Sequence, residues 1–566
     1  MEYLWVLPKP PKQDLVDNIV KSLGIPEVIA HVLVNRNIDD INKTKAFFRP
    51  AISQLHDPFL MSDMDKAVNR LIVAIEKKED ILILGDCDVD GTCSIVILYL
   101  FLKEMGITPK YYIPNRFRYD SGVTINAIES YKDISLMVMV DCGITAVEQV
   151  KYANSQNIDT IICDHHIPAE VLPDAYAILN PLKLDCTYPF KHLCGCGVVF
   201  KLIEAITKRL NKPTASYPYL QFVAVATMAD IVPLTDENRV IVYYGLELIN
   251  EAPRTGLKAL FDITGLGAKK ISSSQIVFIV APRINAVGRL GDASRAVSLL
   301  ICDDHKKANK LADILEQENT TRSKIDHATF REAENLVNKI MDLEQDIPII
   351  LYESEWHPGV IDIVASRIAE KYCRPTIMMT TVNGVVKGSA RSVDGFDIFE
   401  VIKQCEDKLL QFGGHKYAAG LSLEVEKINE FREAFNEIAA QILNKKELKP
   451  QLLIDAEIRL EDITNYFRET LQKFTPYGPS NMRPVFIVKD VEVISYSKTN
   501  NGERIKMKVK QGNIVHEVIG FNFLDKHNEI DKMGKHLDIV FAVDELDKSH
   551  GKIPTQLKLR DFKVIN

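Results

Sequence analysis

The chain has 566 residues, 46% hydrophobic and 26% charged, with a formal net charge of −8. At ~100–200 residues per domain that is too long for one core, and the composition suits a soluble, multidomain protein. It excludes a chain coated in basic residues but not a local positive groove, which a whole-chain sum cannot show.

The opening MEYLWVLPKP has no basic stretch followed by an apolar one, so no secretory signal is expected. The longest purely apolar run, Ile95 to Leu102, is far short of the ~20 residues that cross a membrane. The 10 cysteines form no CxxC pair, and Cys194-Gly-Cys196 is not a usual zinc spacing. Free thiols in a cytoplasmic protein are the expectation.

In chain order, residues 1–50 read as a helical segment. Residues 51–300 hold short apolar runs alternating with helical stretches: Ile81–Leu84, Leu136–Val140, Thr160–Cys163 and Ala177–Leu179. Such runs are buried strands of a parallel α/β sheet, whose ligands sit beyond the carboxyl ends of the strands. Ala224–Asp230 and Ile276–Arg289 extend that region. Residues 301–343 are a connecting helix on the spacing of Ala333, Leu336, Val337 and Ile340, with a break expected near Asn319-Thr320-Thr321. Residues 344–446 form a second α/β module. Residues 447–566 are strand-rich (VFIVKDVEVISY, RIKMKVKQ, VHEVIGF, LDIVFAV, LKLRDFKV) and suggest a small OB-like β-barrel.

The chemistry gathers where the apolar runs end. Gly85-Asp86-Cys87-Asp88-Val89-Asp90-Gly91 follows the first run, Asp141 the second and Asp164-His165-His166 the third, while Asp230 closes Ala224–Asp230. Read as four strand ends, they place carboxylates and imidazoles on one sheet edge. Unpaired, such carboxylates repel, and a divalent cation relieves that repulsion. Mixed oxygen and imidazole donors suit Mn²⁺ or Mg²⁺ rather than a thiolate zinc site. Two such ions activate water and stabilise the leaving oxygen of a phosphodiester.

These motifs, Asp86-x-Asp88-x-Asp90-Gly, Asp141, Asp164-His165-His166 and Asp230, resemble those of the DHH phosphoesterase superfamily. The resemblance implies that Asp86, Asp88, Asp90, Asp141, His165 and Asp230 are metal ligands, with Asp141 as the bridge. It implies that His166 contacts the scissile phosphate or acts as general acid, and that Asp164 orients the histidines.

Further stretches resemble the RecJ exonucleases within that superfamily. Pro282-Arg283-Ile284-Asn285-Ala286-Val287-Gly288-Arg289 is similar to that family's arginine motif, and Ile113-Pro114-Asn115-Arg116-Phe117 to another of its stretches. Gly388-Ser389-Ala390-Arg391-Ser392 and Gly413-Gly414-His415-Lys416-Tyr417 resemble its DHHA1 domain. In Trp356-His357-Pro358-Gly359-Val360-Ile361 the family pattern continues with glycine, where this chain has Asp362.

By that resemblance Arg116, Arg283, Arg289, Ser389, Arg391, Gly413, Gly414 and His415 bind substrate. It implies a two-ion, single-stranded-DNA-specific 5′→3′ exonuclease acting in repair and recombination. It also implies a monomer, with single-strand-binding protein and recombination helicases as partners. The rivals are a DHH phosphodiesterase for short RNA or cyclic dinucleotides, and a non-catalytic DHH scaffold that binds DNA. Lys506, Lys508 and Lys510 alternate on one strand and form a candidate backbone track.

Overall fold

A computed structural model describes residues 3–114, 123–131, 133–340, 348–443, 449–499, 504–521, 536–544 and 556–565. They divide into two compact units, one of His56–Val232 and Tyr244–Lys449, the other of Met1–Leu55, Pro233–Tyr243 and Pro450–Asn566.

The first unit is built on β1 (Ile81–Gly85), β2 (Lys110–Tyr112), β3 (Leu136–Val140), β4 (Asp159–Cys163) and β5 (Ala177–Leu179). They form a parallel sheet in the order β2-β1-β3-β4-β5. β1 and β3 are buried along their whole length, which is why they read as unbroken apolar runs rather than alternating ones. Strand order reverses between β1 and β3, and a reversal of this kind opens a crevice at the carboxyl ends of the strands.

Helices α1 (Val89–Glu104), α2 (Gly195–Arg209) and α3 (Leu220–Ala229) follow. The expected strand before Asp230 is therefore a helix, and Asp230 caps its carboxyl end, donating its N–H to the Ala226 carbonyl at 2.9 Å. Leu220 to Met228, all of α3 but its last residue, are buried. A helix apolar on all sides has no amphipathic period, and a short apolar run then cannot be told from a buried strand.

Helix α4 (Ala281–Leu290) leads to α5 (His305–Ile340). The 36 residues of α5 span ~54 Å without interruption, so the break expected near Asn319-Thr320-Thr321 is absent. The Thr321 hydroxyl bonds back to the Gln317 carbonyl at 2.9 Å, satisfying itself within the helix. The second module carries β6 (Ile349–Tyr352), α6 (Ile361–Tyr372), β7 (Thr376–Val382), β8 (Val385–Arg391), β9 (Gln411–His415) and β10 (Ala418–Leu423). Its sheet order is β9-β10-β8-β7-β6, with β6–β7 parallel and the other pairs antiparallel.

In the second unit β11 (Val485–Thr499), β12 (Arg504–Gln511), β13 (Ile514–Phe521), β14 (His536–Val543) and β15 (Gln556–Val564) pair in the order β11-β12-β13-β15-β14. β14 also pairs with β11, which closes the expected barrel. Ile505, Met507 and Val509 fill its core, so Lys506, Lys508 and Lys510 take the outer face, and Lys506 pairs with Glu517 at 3.2 Å.

The first 50 residues do not stand apart from this barrel. Val16, Ile19, Ile29, Val32 and Leu33 share its core with Phe467, Phe486 and Phe541. Leu4–Val6 pairs in parallel with Gln451–Leu453. Arg239 stacks over Phe47 at 4.0 Å and donates to the carbonyls of Phe47, Lys473, Phe474, Thr475 and Pro476. Burial lowers its guanidinium to about 10, and this ring of carbonyls satisfies its donors.

Candidate metal centre and anion seat

Beyond β1 the chain curls tightly. Asp86 accepts from the Cys87 N–H at 2.7 Å, and Asp88 caps α1 by accepting from the Gly91 N–H at 3.0 Å. A Cβ on Gly91 would stand 2.3 Å from the Asp86 carbonyl oxygen, so this turn needs glycine. Asp90, in the first turn of α1, is buried and accepts from the N–H groups of Gly195 at 2.6 Å and Cys196 at 2.8 Å. Those amides open α2, and a helix N-terminus favours a negative charge.

Sequence reasoning noted Cys194-Gly-Cys196 only as a poor zinc spacing. Its actual contribution is this pair of amides. A Cβ on Gly195 would lie 2.5 Å from Asp141 Oδ1 and 2.8 Å from Asp141 Cα. Gly195→Ala is therefore expected to displace Asp141 and reduce turnover at least ~10-fold, with destabilisation of ~1–3 kcal/mol, as overpacking produces elsewhere. Steady-state rates beside a thermal melt check this. Gly288, in the arginine motif, likewise packs on the loop, since its Cβ would meet the Cys87 carbonyl oxygen at 2.5 Å.

Sheet pairing continues just past the strands and aims the next two carboxylates. Asp141 donates its N–H to the Cys163 carbonyl at 2.8 Å, and Asp164 to the Leu179 carbonyl at 3.0 Å. Asp141 then turns into the left-handed region, with φ 58°. A non-glycine residue is held there only when its surroundings demand it, as they often do at functional sites. Ile231, directly after Asp230, is also left-handed, with φ 59°.

Asp164 is buried and accepts four hydrogen bonds: from the N–H groups of Ile144 (2.9 Å), His165 (2.7 Å) and His166 (3.1 Å), and from His166 Nδ1 (2.7 Å). Burial pushes its carboxyl up, but the bonds from His166 and the backbone outweigh this and hold it below the usual carboxylate range. His166 is raised to about 9, first by its bond to Asp164 and against its burial. Its charged form is therefore favoured at neutral pH, and its Nδ1 is committed to Asp164. Burial lowers His165, which keeps its ring neutral and able to donate a lone pair.

Donor atoms meet in three overlapping groups, each within 4.8 Å: Asp90, His165 and Asp230; Asp86, Asp88 and Asp141; Asp141, His165 and His166. His165 Nε2 lies 3.3 Å from Asp141 Oδ1, 3.7 Å from Asp230 Oδ2 and 3.8 Å from Asp90 Oδ2. The six candidate ligands thus come together, with Asp141 and His165 each shared between two of the groups.

Asp141 Oδ1 and Asp230 Oδ2 are buried without a hydrogen-bond partner. Burial, then the neighbouring Asp90 and Asp88, push both carboxyls far above their ordinary value. Orphaned oxygens among like charges are what a pair of divalent cations would satisfy, so the residues present fit such ions.

The candidate substrate residues fall into two sets. In β8, Ser389 Oγ accepts from Arg391 Nη1 at 3.2 Å. Pairing aligns Ser389, Gly420 and Gly413 across β8, β10 and β9, and Arg391, Ala418 and His415 in the next row. Paired residues share a face, so Ser389, Arg391, Gly413 and His415 lie on one side of the sheet, with His415 ~10 Å across two strand spacings from Arg391. Gly414 belongs to the opposite face.

Arg289 Nη1 donates to Asp362 Oδ1 at 2.6 Å and to the Gly359 carbonyl at 3.0 Å. Arg283 is engaged with Glu316 and with the Ile279 carbonyl, the latter at 2.6 Å. His357 accepts from the Gly359 N–H at 3.0 Å and so shapes the turn before α6. Arg322, on α5, escaped sequence reasoning. Its Nε is buried without a hydrogen-bond partner beside this group, and it sat in a stretch that read only as a connector. Arg116 lies outside the described residues.

Known proteins account for this combination of elements. Residues 80–227 match the model of the DHH family N-terminal domain, 346–441 that of the DHHA1 domain and 454–561 that of the RecJ OB domain. The single-stranded-DNA-specific exonuclease RecJ of Bacillus subtilis is 35% identical over 563 residues, covering 98% of this chain and 70% of the relative. The chain belongs to the RecJ family. The RecJ of Haemophilus influenzae is 32% identical, covering 89% of this chain and 92% of its own length. The crystal structure of RecJ from Thermus thermophilus in complex with Mn²⁺ superposes with a TM-score of 0.85 at 25% identity, covering 99% of this chain and 80% of that one. A manganese-bound exonuclease RecJ gives 0.60 at 32% identity, over 69% of this chain and 97% of that one. The RecJ architecture expected from the sequence, a DHH domain, a DHHA1 domain and an OB barrel, is borne out.

Proposed function

We propose that this RecJ-family chain is a metal-dependent, single-stranded-DNA-specific exonuclease that works from the 5′ end and releases mononucleotides, in repair and recombination. The observation that carries the reading is the convergence of five carboxylates and His165 in overlapping donor groups linked through Asp141 and His165. Two divalent cations, Mn²⁺ or Mg²⁺, supply the charge that makes coordinated water nucleophilic at neutral pH and stabilises the leaving oxygen. Asp86, Asp88 and Asp141 form one pocket for them, and Asp90, His165 and Asp230 the other. Asp164 keeps His166 charged through Nδ1, so that Nε2 meets the scissile phosphate or protonates the leaving oxygen.

Arg391, Arg289 and Arg283 bring guanidinium forks suited to phosphate, and Ser389 adds a hydroxyl. Gly413, Gly414 and His415 offer backbone and ring donors farther along the strand, and Arg116 a further phosphate contact. The outer lysines of β12 are by themselves a candidate contact for a nucleic-acid backbone. Single-strand-binding protein and recombination helicases as partners, and a cytoplasmic monomer, follow from the family resemblance. Among the described residues no helix is long and apolar enough to cross a membrane.

The rival substrates are separated by rate. Long single-stranded DNA is expected to be degraded at least ~100-fold faster, in kcat/KM, than a two-nucleotide RNA or a cyclic dinucleotide, because binding away from the reacting bond contributes to turnover. Faster cleavage of the dinucleotide would replace this reading with the small-substrate one. No cleavage of either would leave the scaffold reading.

A further inference from the structure

The seam between α4, α5, α6 and the end of β8 concentrates guanidinium groups. Arg289 comes from α4, Arg322 from α5 and Arg391 from β8, and the Asp362 carboxylate faces Arg289 and Arg391. Asp362 lies in the first turn of α6, where the helix N-terminus favours its charge. Its Oδ1 accepts from Arg289 Nη1 at 2.6 Å, and its Oδ2 lies 3.8 Å from Arg391 Nη2. Arg391 in turn contacts Ser389 Oγ at 3.2 Å, so the carboxylate adjoins the hydroxyl and guanidinium that a phosphate would use. The Asp362 side chain keeps 25% of its exposure, so water and solutes reach it. Burial lowers the Arg322 guanidinium, Asp326 and more weakly Asp362 favour its charge while Arg289 opposes it, and its Nε is buried without a hydrogen-bond partner.

A carboxylate whose two oxygens face two arginines has the shape and charge sign of a phosphate edge held by the same pair. We propose that Asp362 is a specificity-determining residue, an internal anion that competes with a terminal phosphate for Arg289 and Arg391. The inference rests on the reading of Ser389, Arg391 and Arg289 as an end-binding seat. A phosphomonoester dianion carries more charge than the carboxylate and displaces it. The displaced carboxylate stays nearby on α6 and repels the newcomer. The seat therefore grips an end phosphate less tightly than its arginines alone would, which lets a shortened strand or a mononucleotide leave between cycles. Neutralising Asp362 should strengthen that grip selectively, since a 5′-hydroxyl end brings no dianion to the seat.

The test is equilibrium binding of one oligodeoxynucleotide, 5′-phosphorylated or 5′-hydroxyl, to the full chain in chelator, with Asp362→Asn and Asp362→Gly beside the unaltered protein. Both variants are checked by thermal melting, and Gly serves if Asn disturbs the turn. The phosphorylated strand is expected to bind about tenfold tighter to the variants and the hydroxyl strand to change less than about threefold, as removal of one nearby like charge implies. Inhibition by a 5′-deoxynucleoside monophosphate should strengthen in parallel. Equal tightening for both ends would reduce Asp362 to a bulk charge, and unchanged or weaker binding would make it a clamp that positions the arginines; either overturns the proposal. Arg391→Ala separates this failure from that of the underlying seat. If it leaves phosphate dependence intact, the seat reading itself is wrong. If it removes that dependence while the Asp362 variants change nothing, only the role of Asp362 falls.

Discussion

Asp141→Asn is expected to lower nuclease turnover by on the order of 10³-fold or more while raising the melting temperature of the chelator-treated protein. Asparagine keeps the shape but removes the charge at the point where the two pockets meet. In the absence of cations that charge is unfavourable, because Asp141 is buried and Asp90, Asp88, Asp86 and Asp164 all oppose it. Its Oδ1 has no hydrogen-bond partner to compensate. Function and stability therefore pull in opposite directions at this residue. Thermal melts with and without Mn²⁺ read both effects. The unaltered protein should gain stability with Mn²⁺ by mass action, and the variant should lose most of that gain. A variant that melts lower in chelator, or keeps the full Mn²⁺ gain, would remove Asp141 from the role of shared ligand.

Asp164→Ala is expected to weaken the fold as well as the activity. Asp164 is as buried as Asp141, but its oxygens take three backbone N–H groups and the His166 ring. Alanine leaves buried amides without partners, at about 1–3 kcal/mol each, so a loss of roughly 3 kcal/mol or more is expected. His166 also loses the partner that holds it charged and oriented. Urea denaturation followed by a probe in the first unit measures the loss. A variant as stable as the parent would show that the amides find other partners and that Asp164 does not organise the turn. The two aspartates are alike in sequence, each the first residue after a strand. Their contrast arises entirely from what surrounds them.

That contrast marks how far the sequence could be read. The strand runs before Asp86, Asp141 and Asp164 were legible because strands buried on both faces are continuous apolar segments, and a parallel sheet brings their ends together. The barrel strands were legible from alternation such as Ile505-Lys506-Met507-Lys508. α3 was misread because full burial erases the helical period. The break expected in α5 rested on polar, β-branched residues, whose hydroxyl the helix satisfies through Gln317.

Other features depend on contacts far apart in sequence. The Gly195 and Cys196 amides serve Asp90 from more than a hundred residues away. The core that Val16 and Ile29 share with Phe467 leaves no local trace beyond an amphipathic helix. Arg322 stands in a stretch that reads only as a connecting helix, and its orphaned, buried Nε is a product of the fold.

The central claim is tested most directly by labelling one long single-stranded DNA at either its 5′ or its 3′ end and following mononucleotide release in Mn²⁺. Early release of the 5′ label, abolished by chelator and by Asp141→Asn, is the predicted result. Early release of the 3′ label, or release that persists in chelator, would contradict it.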